Sequence, residues 1–308
     1  MHSLLHCHFE SALRALALTQ PQKLRPLWKT YESEKYQTLT PGQRLTLLWR
    51  TVMGLSHGED IFTENTFREI VRRLLLEMTE SDVEHVDLRI GPSTGRWKWM
   101  ESATDGLDVF REELHDYTSL SIAFLAGINM NRAQTEVDAI FDTLTLDGSL
   151  TAQIVGVDLN FLPNDLHKFD RYVSTLRKLQ ADGLKINIHL GELFDNELSR
   201  YVLSQIIPDR IGHGVLLLRD QTLVDAIRDH DICLDMCPTS NTLLGVTDWT
   251  RVSPASHALK LGIPVSINTD DPVLFGTTIA RELCLAGLSD PEQEQVAAYS
   301  RKYRYDGP

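Results

Sequence analysis

The sequence of 308 residues is 42% hydrophobic and 24% charged, a balance that suits a folded globular protein and excludes wholesale disorder. Its 30 Lys and Arg against 43 Asp and Glu leave a formal net charge of −13, which argues against a broad basic face for nucleic acid or a polybasic patch for anionic membrane. No stretch approaches the roughly 18 consecutive apolar residues of a membrane span, and Met1 to His6 shows no secretory signal. Four cysteines, Cys7, Cys233, Cys237 and Cys284, do not make a disulfide framework, so a reduced cytoplasmic setting is expected.

A strand is predicted over 2–8 (HSLLHCH), and the next only over 83–90 (VEHVDLRI). The intervening chain holds Pro21, Pro26 and Pro41 among helical segments, and reads as a helical insertion over about 19–80. Placed over the C-terminal end of a barrel it would form a lid, with Trp49, Met53 and Phe62 either walling a pocket or packing in the core. Further strands follow at 119–126, 153–160, 185–191, 210–215, 231–237 and 264–270. Helices are predicted over 134–144, stopped by Gly148, and over 166–180, stopped by Gly183. Alternation of strands with helices implies a parallel α/β sheet, and this number of strands closes a (β/α)8 TIM barrel. One domain over 1–308 is the expected organisation.

Polar residues gather at the predicted strand ends. His6 and His8 lie two apart on the first strand, so their side chains share a face. His189 ends the fifth strand, with Asn187 and Gly191 on its face and Glu192 just beyond. His213 ends the sixth in Ile211-Gly212-His213-Gly214, and Asp270 and Asp271 end the eighth. In a barrel all of these converge on one mouth. Singly, each suits a core histidine or a helix cap; jointly they suit a metal-assisted site. Arg89, ending the second strand, suits either the mouth or a structural ion pair.

The strings LHCHFESALR (5–14), HLGE (189–192), IGHG (211–214), MCPTSN (236–241) and SINTDDP (266–272) resemble the adenosine deaminase family of the amidohydrolase superfamily, in the family's order from residue 4 to about 290. The resemblance implies one catalytic Zn²⁺ held by His6, His8, His189 and Asp270, a donor set that suits zinc. The run 153–160 has no Lys to bridge a second metal. Zinc would bring the pKa of water from about 15.7 toward roughly 7, for attack on the ring carbon bearing the amine. Glu192 would protonate ring N1, which requires its pKa to be raised by a dry pocket. His213 would orient the attacking water with Asp270, Asp271 would bind purine N7 through a shared proton, and Gly191 would leave room for the ring.

Two departures bear on the substrate. Where the family often reads H-x-H-x-D-G, this chain has His8-Phe9-Glu10-Ser11, so Glu10 would meet a ribose hydroxyl. Where D-L-x-G-x-E is common it has Asp158-Leu159-Asn160-Phe161-Leu162-Pro163, so Phe161 would stack on the base or block it. His8-Phe9-Glu10 also fits the H-x-E of cysteine-ligated zinc deaminases, but Cys233 and Cys237 do not form the P-C-x-x-C that fold requires. The expectation is hydrolytic deamination of a 6-aminopurine nucleoside, adenosine or deoxyadenosine, to the 6-oxo purine and ammonia. The alternatives are the 5′-monophosphate, an N6-substituted purine, free adenine or a non-purine aminoheterocycle, and, in another class, a purine-sensing barrel without turnover. The expected partner is a small purine; oligomeric state is not set by the sequence.

Overall fold

A computed structural model describes residues 2–55, 61–91, 97–102, 104–146, 148–160, 166–193, 196–249 and 251–306. Eight strands form one sheet in sequential order: β1 (His2–His8), β2 (Val83–Ile90), β3 (Ser121–Asn129), β4 (Gly156–Asn160), β5 (Lys185–Leu190), β6 (Arg210–His213), β7 (Cys233–Met236) and β8 (Val265–Ile267). Every neighbouring pair is parallel. The last strand meets the first through a single parallel bridge, Cys7 to Asp270, with His8 N donating to Asp270 O at 2.8 Å and Asp270 N to His6 O at 3.1 Å. The result is a nearly closed barrel with helices between the strands, the (β/α)8 architecture the alternation implies.

β1 and β2 coincide with the predicted strands, whereas β8 stops at Ile267, short of the predicted 270. Asp270 sits at φ 58° and His213 at φ 64°, a left-handed backbone that strand geometry does not allow. Both strands therefore bend where they deliver their polar side chains.

Between β1 and β2 the chain forms a short 3-10 turn at Pro21–Lys23 and helices at Arg25–Tyr31, Glu34–Gln37, Pro41–Leu55 and Glu64–Glu80. The last buries Phe67, Ile70, Val71, Leu74, Leu75 and Met78, the spacing of one helical face, and Thr63 caps its start. Phe67 stacks edge-on against Trp97 at 4.9 Å, and Phe110 against Phe9 at 4.8 Å and Phe124 at 5.3 Å, which locks the insertion to the barrel wall. At its other end the insertion hydrogen-bonds the loops that follow β7 and β8. Tyr36 Oη and Arg44 donate to Leu243 O, each at 3.0 Å, Tyr31 Oη to Leu274 O at 2.7 Å and Trp28 Nε1 to Val273 O at 3.2 Å. These loops lie at the C-terminal mouth. The side chains of Trp49 and Met53 lie outside the described residues, and Phe62 packs on Trp97 at 5.1 Å. Among the described residues no helix is long and apolar enough to cross a membrane.

Candidate active site

β1 directs His6 and His8 to the barrel axis, β5 adds His189 and β6 adds His213. Their rings gather with centroids 4.8 Å apart for His6–His8, 4.6 Å for His6–His189, 5.2 Å for His6–His213 and 5.1 Å for His189–His213. Gly212 makes this possible, since a Cβ there would stand 2.8 Å from His6 Cε1 and 3.2 Å from His189 Cδ2. Asp270 Oδ1 is 3.3 Å from His8 Nδ1 and 3.8 Å from His6 Nε2, and Asp271 Oδ2 is also 3.3 Å from His8 Nδ1. Glu192 reaches in from beyond β5, with Oε1 3.7 Å from His213 Nε2.

A fourth carboxylate joins them. Asp158, on β4, places Oδ1 3.1 Å from His189 Nε2 and Oδ2 3.9 Å from His8 Nε2. His6, His8, Asp158 and His189 bring potential ligand atoms within 4.8 Å of one another, while Asp270 groups with His6 and His213 and, separately, with His8 and Asp271. The signal for Asp158 was alternation, which turns it to the same face as Gly156 and Asn160. Arg89 stands beside it, donating to Asn160 Oδ1 at 2.8 Å with Nη1 3.4 Å from His8 Nε2, so it faces the mouth and forms an ion pair at once. Asn241 was also unforeseen. Its amide nitrogen lies 3.3 Å from His213 Nδ1, and because that nitrogen only donates, neutral His213 carries its proton on Nε2, toward Glu192.

Burial dominates the electrostatics. It pushes His6 well below the usual imidazole range, assisted by His189 and His8, and brings His213 down to about 4. For His189 burial also pushes down, but the Asp158 carboxylate outweighs it and holds the ring at about 10. Burial lifts Asp270 well up, with the neighbouring Asp271 and Glu192 charges adding to it. Asp271 stays low, because His8 and Arg89 outweigh its burial, opposite to the elevation that a proton shared with purine N7 would need on the carboxyl. Burial alone raises Glu192, yet His213 and His189 overcome it and bring the carboxyl to about 2, opposite to the expected elevation. A cation held by His189 would require that ring neutral, and would bring its own positive charge close to Glu192.

The buried atoms His6 Nδ1 and Nε2, His189 Nε2, His213 Nε2 and Asp158 Oδ1 have no hydrogen-bond partner. Leaving each unsatisfied costs about 1–3 kcal/mol. A group of imidazole nitrogens and carboxylate oxygens orphaned around one point fits a divalent cation such as zinc.

The other predicted residues take varied places. Gly191 has φ 62°, and a Cβ there would meet Leu217 Cγ at 2.6 Å, so the turn after β5 itself requires glycine. Glu10 is partly buried; its Oε1 accepts from Val273 N at 3.0 Å while Oε2 is buried without a partner. Burial raises its carboxyl to about 8 against the pull of Arg14. Phe161 lies outside the described residues.

The adenosine deaminase family model matches residues 4–290. An adenine deaminase of Rhodopseudomonas palustris (strain BisB18) is 30% identical over 306 residues, covering 95% of this chain and 85% of that protein. Among solved structures, the adenine deaminase of Arthrobacter aurescens superposes with a TM-score of 0.76 at 22% identity, over 99% of this chain and 94% of that one. An amidohydrolase of Burkholderia ambifaria, solved with bound Zn, superposes with a TM-score of 0.72 at 17% identity, over 99% and 85% of the two chains.

Proposed function

The chain belongs to the adenosine deaminase family, whose chemistry is hydrolytic deamination of adenine- or adenosine-type purines, and within it we propose a zinc-dependent aminohydrolase acting on free adenine. The observation that carries the reading is the set of orphaned imidazole nitrogens facing Asp270, Asp158 and Glu192 at the C-terminal ends of the strands.

His6, His8, His189 and Asp270 would hold one zinc, which when bound supplies a water ionised near neutral pH. Asp158 Oδ1, 3.1 Å from the same His189 Nε2 that would face the ion, would place its charge beside the ion rather than behind the ring. Glu192 delivers a proton to purine N1, which makes C6 electrophilic. His213, its tautomer set by Asn241, presents the Nε2 proton to the attacking water. Asp271 would face N7 of the base, where the carboxyl and the ring nitrogen, both acceptors, have to share one proton. The insertion, latched to the β7 and β8 loops by Trp28, Tyr31, Tyr36 and Arg44, covers the mouth and excludes bulk water. On this reading residues 1–308 act as one barrel domain.

Two things favour the free base over the nucleoside. The Rhodopseudomonas relative bears the name adenine deaminase, and Glu10, at the expected sugar end, is already tied to Val273 N beside Arg14. The nucleoside stays the second reading, because the partnerless Glu10 Oε2 suits one ribose hydroxyl.

The test is release of ammonia from adenine, adenosine, deoxyadenosine and their monophosphates, and of methylamine from the N6-methyl analogues, with metal analysis alongside. Adenine should react fastest. A preference for nucleosides supports the second reading, turnover of phosphorylated members alone defeats both, and a zinc-loaded protein that turns over none of them would defeat the purine reading in favour of a non-purine substrate or a sensing barrel.

A further inference from the structure

Beneath the imidazole cluster the barrel interior is polar, where such barrels are ordinarily filled by branched apolar side chains. Arg210 on β6, Asp87 on β2 and Asp235 on β7 are fully buried. Arg210 donates from Nε to Asp235 Oδ2 at 2.9 Å, from Nη1 to Asp87 Oδ2 and to Tyr303 O, both at 2.7 Å, and from Nη2 to Leu5 O at 2.8 Å. Asn268 Oδ1 accepts from Leu5 N at 2.7 Å and from His6 N at 3.1 Å. The backbone that carries His6 is thus gripped from β6 and from the bend after β8.

β5 is held by a buried side chain from the chain's last residues. Tyr305 follows the helix Asp290–Tyr303, and its ring lies 3.9 Å from the Arg210 guanidinium carbon. Its hydroxyl donates to Asn187 Oδ1 at 2.6 Å, a buried contact between residues 118 apart in sequence. Asn187 precedes His189 by two positions on the same strand face. Tyr305 therefore links the strand carrying His189 to the guanidinium that grips the strand carrying His6.

We propose that Tyr305 is a positioning residue for the metal site, fixing through Asn187 and Arg210 the relative heights of His189 and His6. The inference rests on the reading of those two histidines as zinc ligands.

The test is Tyr305→Phe in the full chain, which keeps the ring on Arg210 and removes only the hydroxyl. Zinc affinity, measured by competition with a chromophoric chelator, should fall about 10-fold, the lower end of what outer partners of metal ligands contribute. The visible bands of the Co²⁺-substituted protein should shift, a change that the modest loss of metal-free stability expected from an unpaired buried Asn187 Oδ1 would not itself produce. A lowered metal-free melting temperature with unchanged zinc affinity and Co²⁺ spectrum would make Tyr305 merely structural and overturn the proposal. In an Asn187→Ser background, adding Tyr305→Phe should weaken zinc no further, since one contact is removed twice. A further full 10-fold loss there would overturn the route through Asn187. Failure of the wild-type protein to bind zinc would instead defeat the ligand reading beneath it, and this inference with it.

Discussion

Gly212→Ala adds one methyl group where β6 passes between two imidazoles. The new Cβ would stand 2.8 Å from His6 Cε1, and 3.2 and 3.3 Å from His189 Cδ2 and Cγ. Non-bonded carbons rest at about 3.5–4.0 Å, so the overlap with His6 is roughly 0.7 Å. Gly212 does not use the left-handed backbone, so the contact alone sets the cost. Any movement of His6 disturbs the whole cluster, because it is buried with His8, His189 and His213 around it at 4.8, 4.6 and 5.2 Å. Overpacking of this kind costs about 1–3 kcal/mol. Relieved by displacing the His6 ring, that strain would weaken zinc binding about 5- to 150-fold, at roughly 1.4 kcal/mol per factor of ten. The assay is a zinc competition titration, paired with melting curves in excess zinc and in chelator. Wild-type zinc affinity in Gly212→Ala would refute the reasoning that fixed His6 and His189 rings jointly hold the ion.

Glu192→Gln should keep the zinc content and lower kcat by about 10²- to 10⁴-fold, as expected for loss of a proton donor; ammonia release with metal analysis checks this, and near-normal turnover would remove Glu192 from that role. Asp270→Ala should lose zinc, whereas Asp158→Asn should retain it with affinity about 10- to 100-fold weaker; the reverse ranking in a zinc titration would make Asp158 the ligand. Glu292 accepts from Ser289 N at 2.9 Å and Ser256 Oγ at 2.5 Å, and these bonds, Ser256 foremost, bring its carboxyl down to about 2. A depressed folded pKa contributes stability that is present above the ordinary value of 4.5 and lost as pH falls through about 2. The melting-temperature gap between wild type and Glu292→Gln should therefore narrow from pH 4.5 downward, and a gap independent of pH would contradict the assignment.

Much of the fold was legible because its signals are local. His2–His8 and Val83–Ile90 carry the apolar runs of strands buried on both faces, and the alternation that paired His6 with His8 is a property of a single strand. The bends at His213 and Asp270 were not legible, since a residue pattern continues through a left-handed backbone without marking it. Asp158 was visible in the sequence, but the unusual Phe161 drew the substrate reading to the next turn instead. Arg210 follows Asp209 at a strand start and looks like a surface charge. Its role depends on Asp87 and Leu5, 123 and 205 residues away, which no local pattern reports. The pull on the Glu192 carboxyl was not legible for a related reason. Dryness was inferable from a barrel mouth, while the pull of two imidazoles from β5 and β6 needed their positions.

A zinc-edge anomalous difference map from crystals of the zinc-replete protein tests the central claim most directly. The account predicts one strong peak enclosed by His6, His8, His189 and Asp270, with Glu192 and His213 beside it. Density that is blank there, or a peak held by other residues, would contradict it.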